Sequence, residues 1–286
     1  MKYLLVFFLI FSLFSCKKQA VQQSEQSEQS VNADETKPEI TIKKDSMFTS
    51  FDGTRIFYKD EGVGKPILLL HGFISNGSSW YKTALVSTLK EKGYRVIILD
   101  LRGNGKSDKP ENPEAYQNNA EVKDLKALVT HLGLSELQAV GYSRGSIVLA
   151  QWLTEEKRIT KAVIGGMGLD FTNPEWDRRI AFADAFSGRK PLSPMTEGAV
   201  NYAKSINANI KILGLIQDYQ PSPSAESLQN IKIPTLVIAG DQDIDNGKPQ
   251  ELKDALGNAT LKIVSGDHNT TYRKAPFANE VIAFLD

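Results

Sequence analysis

Cysteine is all but missing from this chain: Cys16 stands alone. No intramolecular disulfide can form, so a folded domain here is held by its core and not by cross-links. Histidine is scarce as well, with His71, His131 and His268 the full set, and no group of His, Cys and carboxylates has the spacing of a metal site. Neither sign of charge is in excess. Lys plus Arg equals Asp plus Glu, 34 each, and no basic stretch stands out, which argues against a nucleic-acid partner. The apolar run at the N-terminus, Tyr3 to Phe14, covers twelve residues and is broken at Ser12, whereas a membrane-spanning helix needs about twenty. What is present is the composition of a globular protein, 41% hydrophobic and 24% charged. At 286 residues there is room for one large domain or two small ones.

The short apolar run has its own meaning. Met1-Lys2 gives it a positive start, and it ends in Leu13-Phe14-Ser15-Cys16, the layout of a secretory signal. This ending resembles the lipobox of bacterial lipoproteins, in which the cysteine is lipidated and becomes the mature N-terminus. The resemblance implies a signal peptide over 1–15, lipidation at Cys16, and a domain anchored to a membrane of the bacterial cell envelope, outside the cytoplasm. Residues 16–44 then read as a tether, because Ser24-Glu25-Gln26-Ser27-Glu28-Gln29-Ser30 is low-complexity and too polar to bury a core.

From residue 45 onward the patterning changes. Met47–Ser50 and Arg55–Asp60, joined by Asp52-Gly53, predict an antiparallel hairpin. Buried strands follow at 66–71, 95–100, 137–142, 160–165, 233–239 and 260–265. Helices are expected near 80–91, 119–132, 144–156, 249–256 and 275–285. The apolar stripe Val122, Leu125, Leu128, Val129 and Leu132 marks one of them. Buried strands alternating with helical crossovers predict an α/β fold, a mostly parallel central sheet flanked by helices. One interval, about 169–231, breaks the alternation. It carries Trp176, Ile180, Phe182, Phe186, Val200, Tyr202, Ile206, Ile210, Ile212 and Leu215 at helical spacing. So long a stretch is not a loop in a compact domain; it predicts a helical cap whose aromatics mostly pack it onto the body, with one or two lining a substrate site.

The chemistry centres on Gly141-Tyr142-Ser143-Arg144-Gly145, between a predicted strand and a predicted helix. Gly141 allows a tight exit from the strand and Gly145 a close helix, leaving Ser143 on a strained, exposed turn. Alone, such a G-x-S-x-G pattern arises by chance in about one chain in ten of this length, so its neighbours decide. Pro66-Ile67-Leu68-Leu69-Leu70-His71-Gly72-Phe73 ends a strand in His-Gly, and Asp100-Leu101-Arg102-Gly103-Asn104-Gly105-Lys106-Ser107 follows the next strand. Taken together in this order, the three motifs resemble the α/β-hydrolase family, and the resemblance covers roughly 45–286.

In that family a serine is activated by a histidine that a carboxylate orients, in the chain order Ser, acid, His. The resemblance therefore implies Ser143 as nucleophile and His268 as base, the only histidine after the serine. His71 would shape the oxyanion loop, and His131 lies on a helix with no such task. The acid implied is Asp243, at the end of Gly240-Asp241-Gln242-Asp243, with Asp241 and Asp245 close enough to compete and Asp170 as an outside candidate. Backbone N–H groups of Phe73 and Arg144 would hold the oxyanion, while Asp100 and Arg102 tie the adjacent loop. A Gly-Gly-Gly oxyanion loop and a His-Gly-Gly-Pro pattern are both missing, which disfavours the branched-ester lipases and the proline iminopeptidases. Serine at the elbow excludes the aspartate mechanism of epoxide hydrolases and haloalkane dehalogenases.

The expected activity is hydrolysis of a carboxylic ester of a small molecule through an acyl-enzyme, with no cofactor and no metal. The alternatives are thioester, amide or carbon–carbon bond hydrolysis or cofactor-free perhydrolysis by the same residues, and a non-catalytic binding protein that keeps the fold.

Overall fold

The computed structural model describes residues 42–286; the leader, Cys16 and most of the tether lie outside them. The described residues open with β1 (Ile42–Thr49) and β2 (Arg55–Glu61), antiparallel with Thr49 opposite Arg55 across the turn at Gly53, whose φ is +88°. The strand thus starts inside the segment read as tether, a few residues before the expected boundary at 44. After the hairpin come β3 (Pro66–Leu70), β4 (Arg95–Leu99), β5 (Leu137–Tyr142), β6 (Ile159–Gly165), β7 (Thr235–Gly240) and β8 (Ala259–Val264). They form one eight-stranded sheet in the order β1-β2-β4-β3-β5-β6-β7-β8. The β1–β2 and β2–β4 pairs are antiparallel and the remaining neighbours parallel. The expected fold class is what the structure has: a mostly parallel sheet covered by helices on both faces.

The two faces follow from the period of a strand, since successive side chains point to opposite sides. Leu68, Leu70, Ile97, Leu99 and Ala139 pack on one face against α2 (Ala120–His131) and α3 (Arg144–Leu153). Ile67, Leu69, Val96, Ile98 and Val140 pack on the other against α1 (Ala84–Glu91) and a C-terminal helix over Ala275–Leu285. Each fully buried aliphatic side chain stabilises the fold by about 1.5–3 kcal/mol relative to exposure. Helix α1 is shorter than the expected 80–91. Gly77–Lys82 forms a separate 3-10 turn, and Thr83 is extended, with its hydroxyl donating to the Trp80 carbonyl at 2.7 Å.

Between β6 and β7 lie α4 (Asp177–Ser187), α5 (Pro194–Ser205), α6 (Ile210–Asp218) and α7 (Ala225–Gln229). Phe186, Val200, Ala203, Ile212, Leu213 and Ile216 form a core of their own, closed by Tyr116 and by Phe73, which follows the carboxyl end of β3. Four residues of the expected stripe do not join it: Tyr202 is 54% and Ile206 47% exposed, Ile180 is half-buried, and Trp176 packs on the core of the body. Leu228 of α7 packs into the body instead. The sheet is completed by α8 (Pro249–Ala255), which leads into β8, and α9, the C-terminal helix Ala275–Leu285.

Candidate active site

Three loops converge at the carboxyl edge of the sheet. The first is the turn from β5 into α3. Ser143 has φ 55° and ψ −128°, a conformation costing an L-residue on the order of 1–3 kcal/mol. Both flanking glycines are needed on steric grounds. A Cβ on Gly141 would lie 2.6 Å from the Gly145 carbonyl oxygen, and one on Gly145 only 2.4 Å from the Leu70 oxygen. The turn is held from beneath: the Ser143 N–H donates to the Gly165 oxygen at 2.8 Å, and the Ser146 hydroxyl donates to the same oxygen at 2.8 Å.

The second and third loops follow β7 and β8. His268 Nε2 lies 2.8 Å from Ser143 Oγ, and His268 Nδ1 lies 2.7 Å from Asp243 Oδ2. Asp243 is buried, His268 is about one-quarter exposed, and Ser143 is half-buried. A carboxylate at Nδ1 makes that nitrogen the proton carrier, so Nε2 turns its lone pair to the serine hydroxyl. The Tyr142 hydroxyl donates to the His268 carbonyl at 2.8 Å and fixes this loop against the elbow. Burial, with the charge of Asp243 adding to it, pushes the Tyr142 phenol far above its ordinary range, so it acts here as a neutral donor.

The competing carboxylates have other positions. Asp241 Oδ1 accepts from the Gly266 N–H at 2.9 Å, binding the two loops together. Asp245 and Asp170 are exposed, the latter beside Gly247. Asn246 is a member of the cluster that sequence reasoning missed. It is buried, donates through Nδ2 to Asp243 Oδ1 at 2.8 Å, and brings the same nitrogen within 3.0 Å of His268 Nδ1. With Nδ1 protonated, the second contact is a close approach and the first is the hydrogen bond. An asparagine three residues past a turn carries no mark that separates it from ordinary loop asparagines.

Gly72 lies directly against the serine, since a Cβ added to it would sit 3.2 Å from Ser143 Cβ. That brings the Phe73 amide and the first amide of α3, that of Arg144, to the same corner. Among the described residues neither N–H has an acceptor, as expected for orphan donors at a helix start. His71 is hydrogen-bonded through both ring nitrogens at this loop. Its Nε2 accepts from the Leu101 N–H at 3.1 Å, so Nδ1 carries the proton and donates to the Gly72 carbonyl at 2.8 Å. Burial lowers the His71 pKa against the opposing pull of the Gly72 carbonyl, Asp100 and Glu121, and the ring is neutral. Asp100 accepts from the Gly77 and Lys106 N–H groups, each at 2.7 Å, and Arg102, fully buried, pairs with Asp124 and Asp52. His131 is exposed, beside Phe48.

The Arg144 side chain has a task that the sequence did not reveal. It forms a buried, two-pronged pair with Glu121 of α2, at 2.8 and 2.5 Å, and donates to the Ile216 carbonyl of α6 at 3.2 Å. Phe73 meets the rings of Phe186 and Phe182 edge-on, at 5.1 and 6.2 Å between centroids. The helices α4 and α6 are thereby fastened next to both candidate oxyanion amides. A separate groove of about 530 Å³ among α4, α5 and α6 is lined by residues such as Phe186, Val200 and Leu215, and by none of Ser143, Asp243 or His268.

An alcohol, an imidazole and a buried carboxylate in hydrogen-bonded sequence beside two free amides can carry out nucleophilic acyl transfer. Comparison with known proteins shows the family to which this fold belongs. The alpha/beta hydrolase fold profile matches residues 65–199. A non-heme haloperoxidase of Rhodococcus erythropolis is 30% identical over 275 residues, covering 83% of this chain and 98% of its own. Among solved structures, an esterase of Exiguobacterium antarcticum superposes with a TM-score of 0.69 at 21% identity, covering 85% of this chain and 99% of the other. A bromoperoxidase of Bacillus anthracis gives 0.64 at 25% identity, over 85% and 99%. On these matches, and on the sheet and elbow that precede them, the chain belongs to the α/β-hydrolase fold family and is an enzyme of that class.

Proposed function

We propose that this enzyme hydrolyses a carboxylic ester of a small molecule through a covalent acyl-serine. The observation that supports this reading best is His268 standing 2.8 Å from Ser143 Oγ and 2.7 Å from Asp243. In the first step Oγ bonds to the ester carbonyl carbon as its proton passes to His268 Nε2. The resulting oxyanion faces the Phe73 and Arg144 amides, and such a donor contributes about 10²–10³ in rate. Collapse of the tetrahedral species breaks the bond to the alkoxide, which leaves with the proton from Nε2. Water then attacks the acyl carbon, giving its proton to the same nitrogen, and the acid is released with Ser143 restored. Asp243 keeps the imidazole in one tautomer and stabilises the imidazolium formed on the way.

Perhydrolysis is a second reading, supported by the haloperoxidase name of the 30% identical relative. Hydrogen peroxide replaces water at the acyl-serine and a peracid leaves. The reading also retains Cys16 as the lipidated residue and the bacterial cell envelope as the location.

One set of experiments tests all three. A fluorophosphonate probe is expected to label the wild type and not Ser143→Ala, and Ser143→Ala is expected to lower ester turnover by about 10⁴-fold or more. Equal labelling of both proteins rejects the nucleophile, and no labelling of either favours a binding protein on the same fold. Peracid formation from peroxide and acetate decides the second reading. In cell fractions the labelled band belongs with the membranes, and failure of Cys16→Ala to shift it to the soluble fraction rejects the anchor.

A further inference from the structure

Arg178 is the unusual cation near this site. Every other arginine among the described residues donates at least one hydrogen bond from its side chain. The contrast is sharpest on its own helix. Arg179 reaches the Asp218 carbonyl and the Ser222 hydroxyl, both at 2.9 Å, and Arg189 just beyond α4 pairs with Asp184 and Asp218. Arg178 is half-buried, and among the described residues its only close partner is the Phe182 ring, 4.9 Å from the guanidinium carbon. A ring face attracts a cation but leaves its N–H groups without acceptors.

Its position relates it to both halves of the candidate site. Phe182, beneath it, packs on Phe73, whose amide is one of the two oxyanion donors. The charges of Asp245 and Asp243 also act on the guanidinium, although neither forms an ion pair with it. Burial disfavours the charge and lowers the Arg178 pKa, yet arginine does not deprotonate in proteins. A half-buried guanidinium with unused donors is stabilised by an incoming anion. Asp243 is not that anion, being occupied by His268 and Asn246, and Asp245 is exposed to water.

We infer that Arg178 binds a carboxylate on the substrate, so that the ester taken by this site is the half-ester of a dicarboxylic acid or the ester of a hydroxy acid. The inference rests on the hydrolase reading above. The guanidinium fork matches a carboxylate with two parallel N–H donors, and holding that group fixes the ester at Ser143.

The test uses two substrate pairs with the full-length enzyme. One pair is mono-4-nitrophenyl glutarate and the 4-nitrophenyl ester of monomethyl glutarate; the other is the acetate ester of 4-hydroxybenzoate and that of its methyl ester. In the wild type the charged member of at least one pair is expected to have the higher kcat/KM, through a lower KM. Arg178→Gln should reduce that charged-to-neutral ratio by about tenfold or more, the scale of a lost charged hydrogen bond, and Arg178→Lys should restore part of it. Because each ratio is taken within one protein, a variant with little folded material still reports it. A wild-type ratio near one in both pairs, or a ratio unchanged in Arg178→Gln, overturns the inference while leaving ester hydrolysis intact. Absence of turnover for all four esters with no fluorophosphonate labelling removes the hydrolase reading itself, and this inference with it.

Discussion

Asp243 uses both oxygens, one on His268 and one on Asn246, so its carboxylate has a fixed orientation as well as a charge. Replacing it by asparagine puts an amide where only an acceptor suits Nδ1, and the imidazole then turns its lone pair away from Ser143. Asp243→Asn is expected to lower kcat by about 10⁴-fold with little change in KM, measured on a chromogenic ester alongside a thermal melt that shows the fold intact. At this scale the sequence narrowed two members of the cluster to one residue each and left the third open. Chain order and the scarcity of histidine left His268 alone, and the glycines isolated Ser143. Asp241, Asp243 and Asp245 lie within five residues on one loop, and only coordinates show that Asp241 faces Gly266 and Asp245 faces water. Asn246 and the guanidinium of Arg178, without a hydrogen-bond acceptor among the described residues, left no sequence signal, because each is defined by what surrounds it in space.

Among the elements, the junction of α2, α3 and α6 governs the site. Arg144 begins α3 and supplies a candidate oxyanion amide from its backbone, while its side chain reaches Glu121 on α2 and the Ile216 carbonyl on α6. Removing one partner of a buried pair leaves the other charged without compensation. Glu121→Ala is therefore expected to cost about 3–5 kcal/mol in urea unfolding, far more than loss of a surface carboxylate such as Glu111, which pairs in the open with Lys211. Element positions were largely legible, since buried strands and helix stripes have different periods. Local hydrogen bonding is invisible to periodicity, which is why the expected helix at 80–91 divides at Thr83. Tyr202 on α5 and Ile206 just past its end fit the expected stripe yet are largely exposed, while Val200 and Ala203 of the same helix are buried. Periodicity identifies an apolar face without saying whether another element covers it.

For the molecule as a whole, strand order was beyond the reach of hydrophobic pattern: β3 and β4 exchange places between β2 and β5, and a buried run is the same in either position. Stability against pH follows from a group at the centre of this sheet edge. His71 is held neutral by burial, with its pKa below the ordinary imidazole value, whereas in the unfolded chain it titrates near ~6.5. Just below that pH the unfolded state binds more protons than the folded one, so this contribution is complete above ~6.5 and is lost progressively as pH falls. The urea midpoint should decrease from pH 7.5 to 5, and His71→Asn, though less stable at pH 7.5, should show a shallower decrease. An equal slope in both proteins would remove His71 as the cause.

The catalytic imidazole of the proposed mechanism hangs from the loop after β8, one of the two edge strands, which among the described residues pairs only with β7 and has Ile263 52% exposed. Strands at a sheet's rim open more readily than those at its centre. Ser143, by contrast, projects from β5, in the middle of the sheet. Heat or mild denaturant that frays the margin would therefore silence turnover while most of the molecule kept its shape, making catalysis the first casualty of partial unfolding.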